Sequence, residues 1–138
     1  MQQFRRAVEA RDEEAIAALL AEDVVFTSPV AFAPYQGKAI TAAILRAVMR
    51  VFEDFHYVRE ITDDNGQDSA LIFQAVVTGK QVSGCDFLHV NDEGLIDDFV
   101  VMVRPLSAAN ALQVAMEAEM ERIQHEAMMT VGSERRDA

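Results

Sequence analysis

Histidine and cysteine side chains are the first candidates for chemistry, because they bind transition metals and, as a thiolate, cysteine attacks electrophiles. The three histidines, His56, His89 and His125, lie on different predicted elements and have no histidine, cysteine or carboxylate at metal-ligand spacing. Cys85 has no neighbour in the sequence that would stabilise a thiolate. The sequence therefore predicts neither a metal site nor a cysteine nucleophile, and we expect Cys85 to be a small buried hydrophobe.

Two tyrosines and one aspartate are the remaining candidates. Tyr35 and Tyr57 carry hydroxyls that could orient a ligand, since binding cavities combine apolar walls with a few polar groups. Packing explains both tyrosines equally well. Asp86 lies in a β-prone run, and the alternation of side chains along a strand places it on one face with Leu88 and Val90. The opposite face carries Cys85, Phe87 and His89.

Composition and charge limit the classes of protein to consider. At 138 residues, the chain has the length of a single globular domain. Its net charge of -11 argues against nucleic acid, because binding a phosphate backbone needs a basic surface. The single cysteine excludes an internal disulfide and fits a reducing compartment, so we expect a cytoplasmic protein. Neither a signal peptide nor a membrane span is visible.

The sequence pattern of the first half of the chain predicts three helices and one short strand. A helix over residues 2–10 precedes a second helix, which Asp12 caps. The second helix is expected to bury Ala15, Ile16, Leu19 and Leu20. Residues 24–27 are predicted to form a strand that ends before Pro29, because proline cannot donate to a β-ladder. A loop over residues 30–37 then leads to a third helix, whose apolar residues recur at intervals of three and four.

The second half reads as a β-meander followed by a long helix. Turn-forming residues separate four predicted strands, at 55–62, 68–79, 81–90 and 95–104. After Pro105 an apolar stripe predicts one extended helix, formed by Ala109, Leu112, Met116, Met120, Ile123 and Ala127. Its methionines suit either a lid over a cavity or a dimer strut. The stripe is longer than one small sheet can cover, so a homodimer is expected.

This order of elements, together with several short phrases, resembles the nuclear transport factor 2-like superfamily. Within it, the chain looks like ketosteroid isomerase-like and polyketide cyclase (SnoaL-like) proteins. The phrases are residues 18–26, Ser28-Pro29, Gly37-Lys38, residues 94–96 and Arg104-Pro105. The resemblance implies a cone-shaped, cystatin-like α+β fold, in which N-terminal helices pack on a strongly bent, mostly antiparallel sheet around a cavity. It divides the chain into a domain (1–106), a C-terminal helix that packs on the domain or at a dimer interface (107–130) and a frayed tail (131–138).

The resemblance also implies where a site would lie. The isomerases hold a carboxylate base at the position of Ser28 and a tyrosine donor at that of Phe4, and neither residue here can do that chemistry. Their third group, a strand aspartic acid kept protonated as a hydrogen-bond donor, matches Asp86. Asp86 is thus the candidate catalytic residue, although a structural carboxylate satisfied by a neighbour is an alternative. The candidate pocket-lining residues are Phe4, Ser28, Tyr35, Tyr57 and Leu88. Epoxide hydrolases of the superfamily need an arginine where this chain has Gly84, which disfavours that chemistry.

Three functions remain open at this point. The first is binding of a small apolar, carbonyl-bearing molecule in the cone, or an isomerase, cyclase or lyase reaction on it without metal or cofactor. The second is a protein-interaction or dimerisation module, which would use the sheet face around Phe87 and His89 and the acidic terminal helix. A ketosteroid isomerase-like reaction comes third, because two of its three chemical groups are missing.

Overall fold

Four helices and a six-stranded sheet form the chain in a computed structural model, which describes the backbone of residues 1–137 and the side chains of residues 1–131. The helices are α1 (Gln2–Glu9), α2 (Glu13–Ala18), α3 (Lys38–Val51) and α4 (Leu106–Asp137). The strands are β1 (Leu20–Thr27), β2 (Tyr35–Gln36), β3 (Glu53–Thr62), β4 (Asp68–Val77), β5 (Lys80–Val90) and β6 (Ile96–Arg104).

The sheet has the strand order β2-β1-β6-β5-β4-β3. Strands β3 to β6 form the predicted antiparallel meander, and β1 joins its far edge by pairing parallel to β6. Thr78 and Gly79 both have positive φ in the β4–β5 turn, as two-residue hairpin turns that match strand twist require. The curved, mixed sheet with its flanking helices confirms the predicted α+β, cystatin-like fold.

Two local predictions in the first half were wrong. The second helix begins as predicted, since the Asp12 carboxylate accepts the N–H of Ala15, but it ends at Ala18. Leu20 is instead the first residue of β1, because it pairs with Ile96 of β6. The strand is therefore longer than the predicted 24–27. The predicted loop over residues 30–37 contains β2, in which Tyr35 pairs with Phe26. The first difference comes from a strand partner that is distant in sequence, and the second from a short hairpin with β1.

Helix α4 packs along α3 of the same chain. Ala108, Leu112 and Ile123 are its buried residues. Between the two helices, Arg46 Nε lies 3.0 Å from Glu126 Oε2 and Arg50 Nη2 lies 2.9 Å from Glu119 Oε2. The helix runs past residue 130 to Asp137, whereas the side chains of residues 132–138 and the structure of Ala138 lie outside the described residues. No helix within residues 1–137 has both the length and the apolar character needed to cross a bilayer.

Candidate functional site

A cavity of about 150 Å³ lies between the sheet and helices α1, α3 and α4. Its wall is mostly apolar, and aromatic rings make up much of it. Leu112 and Met116 bring α4 into this wall, so the terminal helix forms part of the cavity within the same chain. The polar residues of the lining are Glu9, Arg11, Ser28, Tyr57 and Asp86.

Tyr57 and Asp86 form a hydrogen-bonded pair on the cavity wall. Tyr57 lies on β3 and Asp86 on β5, the two strands that flank β4. The Tyr57 hydroxyl donates to Asp86 Oδ2 at 2.8 Å. The aspartate is only 6% exposed, and no other side chain in the described part of the chain bonds to its carboxyl group. The predicted alternation along β5 is confirmed, since Asp86 and Leu88 are buried and Phe87 is exposed.

Burial changes the pKa values of both Asp86 and Tyr57. Removal from water raises the pKa of Asp86 to about 7, and the hydrogen bond from Tyr57 opposes that rise. Burial, followed by the negative charge of Asp86, raises the pKa of Tyr57 well above its ordinary value. Near neutral pH the carboxyl group therefore exists in both forms. In the protonated form Oδ2 can still accept from Tyr57, while a proton on Oδ1 is available to a molecule in the cavity.

Two aromatic clusters stand on the cavity wall. The first contains Phe52, Phe55, Tyr57 and Phe73, in which the rings of Phe55 and Phe73 stack with centroids 4.8 Å apart. The second contains Phe4, Phe26 and Phe99, with Phe4 edge-on to Phe99 at 5.4 Å. Such rings offer a molecule in the cavity large apolar faces at a small cost in side-chain entropy.

Gly84 lies under one of these rings. It is the β5 partner of Phe73. A methyl group added at Gly84 would overlap the tip of the Phe73 ring and come within 2.9 Å of the Met102 carbonyl oxygen. Glycine at this position therefore lets Phe73 lie flat across the neighbouring strand, two residues from Asp86.

The structure brings some of the predicted site residues together and separates others. Phe4, Ser28 and Tyr57 line the cavity with Asp86, whereas Tyr35 and Leu88 do not. Tyr35 lies on edge strand β2, and Leu88 is packed in the core. The Ser28 hydroxyl accepts the N–H of Val30 at 3.1 Å, the bond of a turn residue.

The histidines and the cysteine are separate from the cavity. His89 contacts Asp97 at 2.6 Å on the opposite sheet face, and His56 contacts the carbonyl of Asp54. Cys85 is half-buried rather than fully buried, and burial raises the pKa of its thiol. Within residues 1–131, no three His, Cys, Asp or Glu side chains come together in a way that could hold a metal ion.

Glu9 and Arg11 are lining residues that sequence reasoning missed. Both are exposed and border the cavity at the turn between α1 and α2. Arg11 has a φ of 54°, and its Nη2 donates to the Met49 carbonyl at 2.8 Å, which links this turn to α3. A charged residue just after a helix is common on protein surfaces, so the sequence held no signal for this position.

Comparison with known proteins finds similar folds with few assigned functions. The model of the SnoaL-like domain family matches residues 1–99. A crystal structure of a steroid delta-isomerase from Pseudomonas aeruginosa is 35% identical, with 90% of each chain covered and a TM-score of 0.84. A conserved bacterial protein with a cystatin-like fold from Silicibacter pomeroyi is 37% identical over 91% of this chain and 89% of its own, with a TM-score of 0.83. No curated protein matches the chain.

Proposed function

Because the chain belongs to the SnoaL-like domain family and has the nuclear transport factor 2-like fold, we propose that its cavity binds a small apolar molecule through a carbonyl group. The observation that carries this proposal is the buried Tyr57–Asp86 pair on an aromatic cavity wall. The protonated Asp86 carboxyl donates to the ligand carbonyl, while Tyr57 holds the carboxyl in place. Apolar rings surround the rest of the ligand.

The same pair would favour a reaction in which negative charge grows on the carbonyl oxygen. A hydrogen bond from a preorganised donor strengthens as that charge develops. The Tyr57 hydroxyl on β3 donates to this carboxyl and so orients the donor, whereas Phe4 on α1 offers the ligand no second donor. An isomerase, cyclase or lyase reaction of this kind needs no metal or cofactor.

Steroid isomerisation is a weaker candidate, although a similar protein carries the name steroid delta-isomerase. Moving a proton between carbon atoms needs a base next to the substrate. Ser28 occupies the position of that base, and its hydroxyl is engaged by the Val30 N–H. Binding of a carbonyl compound is therefore proposed ahead of this reaction.

Binding of acetophenone, measured by isothermal titration calorimetry, tests the proposed function. We expect acetophenone to bind about tenfold more tightly than α-methylstyrene, which replaces the carbonyl oxygen with a CH₂ group and leaves a buried donor unpaired. Since Asp86 donates only when protonated, the dissociation constant of acetophenone should rise above pH 7, by about the tenfold that the hydrogen bond to the carbonyl contributes.

Two substitutions of Asp86 make this test specific. In Asp86→Asn the amide still donates, so binding should persist and lose its pH dependence. In Asp86→Leu the donor is gone, and acetophenone should bind no better than α-methylstyrene. Equal affinity for the two compounds in the unchanged protein, or the same pH profile in Asp86→Asn, would contradict the proposal.

We also propose that the outer sheet face joins two copies of the chain. Ile61, Ala70, Phe87 and Val100 are successive cross-strand partners on this face. Ile61 is 50% exposed, Phe87 41% and Met102, in the adjacent row, 59%. A contiguous apolar face on a chain of net charge -11 favours a partner surface of the same apolar kind, which a second copy supplies.

Light scattering tests the homodimer. We expect twice the chain mass of 15.3 kDa for the unchanged protein and the monomer mass for Phe87→Glu, because a charge buried at an interface has no partner. Val114→Glu, a similar change at an exposed position of α4, is the control and should stay dimeric. A monomeric unchanged protein at micromolar concentration would rule the dimer out.

A further inference from the structure

We propose that the cavity accepts single-ring ketones and aldehydes and excludes fused-ring ones, and that Phe73, resting on Gly84, sets this limit. The inference rests on the proposed function, because it specifies which carbonyl compounds the same site takes. It concerns the shape of the cavity rather than the donor that holds the carbonyl.

The volume of the cavity limits the size of the molecule that can bind in it. The cavity measures about 150 Å³. An apolar cavity of roughly 150 Å³ holds a benzene-sized molecule, whereas pockets for drug-sized ligands measure about 300–1,000 Å³. One ring with a short carbonyl substituent fits this space. A bicyclic ketone needs side chains to move, and a tetracyclic steroid ketone needs far more space than the cavity offers.

The cavity wall beside the donor has a fixed position. Phe73 is 1% exposed, and its ring stacks on Phe55 and lies 5.6 Å from the ring of Phe52. Phe73 is fixed in place by the rings of Phe52 and Phe55 on one side and by Gly84 beneath it. A ligand whose carbonyl reaches Asp86 must therefore fit beside an immobile phenyl ring, since densely packed aromatic side chains yield little.

Gly84 determines how far Phe73 projects into the cavity. With any larger residue at Gly84, the Phe73 ring would have to rise from the sheet, because the added carbon would occupy the place of its tip. Glycine keeps the ring as low as the sheet allows. Phe73 and Gly84 together thus define the depth of the cavity, and changes at the two positions should act in opposite directions.

Three ketones of increasing size test the inference by titration calorimetry: acetophenone, 2-acetylnaphthalene and progesterone. We expect acetophenone to bind, 2-acetylnaphthalene to bind at least tenfold more weakly, and progesterone to show no binding. In Phe73→Leu and Phe73→Ala, the ratio of the two aryl ketone affinities should shift at least tenfold toward 2-acetylnaphthalene. Gly84→Ala should weaken acetophenone binding.

The design separates failure of this inference from failure of the proposed function. Each variant is judged by the ratio of its affinities for acetophenone and 2-acetylnaphthalene, so a general loss of stability cancels. If Phe73→Ala unfolds, Phe73→Leu still provides the test, because leucine retains most of the buried volume. Phe32→Leu, the same change at a fully exposed position outside the cavity, is the matched control and should leave the ratio unchanged. Tight binding of the larger ketones, or an unchanged ratio in both Phe73 variants, overturns the size limit and leaves the proposed function standing. If none of the three ketones binds, the proposed function itself fails.

Discussion

Replacing Asp86 with asparagine is expected to remove a large pH dependence of stability. The pKa of Asp86 is about 7 in the folded chain, against an ordinary value of 3.8. Between these values the folded chain holds a proton that the unfolded chain has released. The free energy of unfolding must therefore fall as the pH rises, by about 1.4 kcal/mol per pH unit and by at most about 4 kcal/mol in total.

The sign of this effect distinguishes Asp86 from an ordinary carboxylate. A salt-bridged aspartate has a lowered pKa and stabilises the fold more as the pH rises, whereas Asp86 destabilises it over the same range. Above pH 7 both states have lost the proton, so the effect levels off. The asparagine variant should show no such contribution at any pH.

Urea denaturation of both proteins at intervals from pH 4 to pH 8 measures this contribution. The difference between the two free energies should change across the series, because all other titrating groups are common to both proteins. A constant offset is also expected, since the asparagine amide places an extra N–H group in a buried position. Two parallel curves would show that Asp86 has the same pKa in the folded and unfolded chains, and would undermine its role as a donor near neutral pH.

Shortening Ile123 to alanine is expected to be the most damaging change in the C-terminal helix. Ile123 is fully buried (0% exposed) in α4, and removing a buried isoleucine side chain to alanine costs about 2–5 kcal/mol through lost burial and the cavity that remains. The stronger helix preference of alanine offsets only about 0.4 kcal/mol of this loss.

Val114→Ala provides the matched control on the same helix. Val114 is 68% exposed, so a similar shortening of a β-branched side chain should change stability by no more than about 0.5 kcal/mol. Urea denaturation at one protein concentration compares the two variants. If Ile123→Ala cost as little as Val114→Ala, α4 would not belong to the core of the domain.

The features that the sequence could predict are those with a local cause. The grouping of Asp86 with Leu88 on one face of β5 follows from alternation and could be predicted from residues 84–90 alone, whereas alternation does not say which face is buried. Asp12 as a helix cap and the turn after Val77 likewise depend on neighbouring residues. The fold class followed because helical and strand periodicities alternate clearly along the chain.

The features that could not be predicted depend on pairing between distant strands. Tyr57 reaches Asp86 across β4, and a register shift between Tyr57 and Arg59 sets its position. No local pattern encodes that shift. Gly84 stood out in the sequence only as a missing arginine, whereas its contact with Phe73 depends on the β4–β5 register. The division of the chain into domains, the homodimer and the cytoplasmic location stay predictions.

The pairing of β1 with β6 affects the order in which parts of the fold can form during synthesis. The first strand has its main partner in the last one, so in a chain emerging from the ribosome β1 can pair only with the two-residue β2 until Ile96–Arg104 has been synthesised. The β3–β5 hairpins, with Tyr57 and Asp86, contain only contacts between neighbouring segments and can form earlier, because short loops close at lower entropic cost. Helix α4 comes later still. The Tyr57–Asp86 pair can thus assemble before the cavity around it exists, and the site becomes enclosed only as synthesis nears the end of the domain.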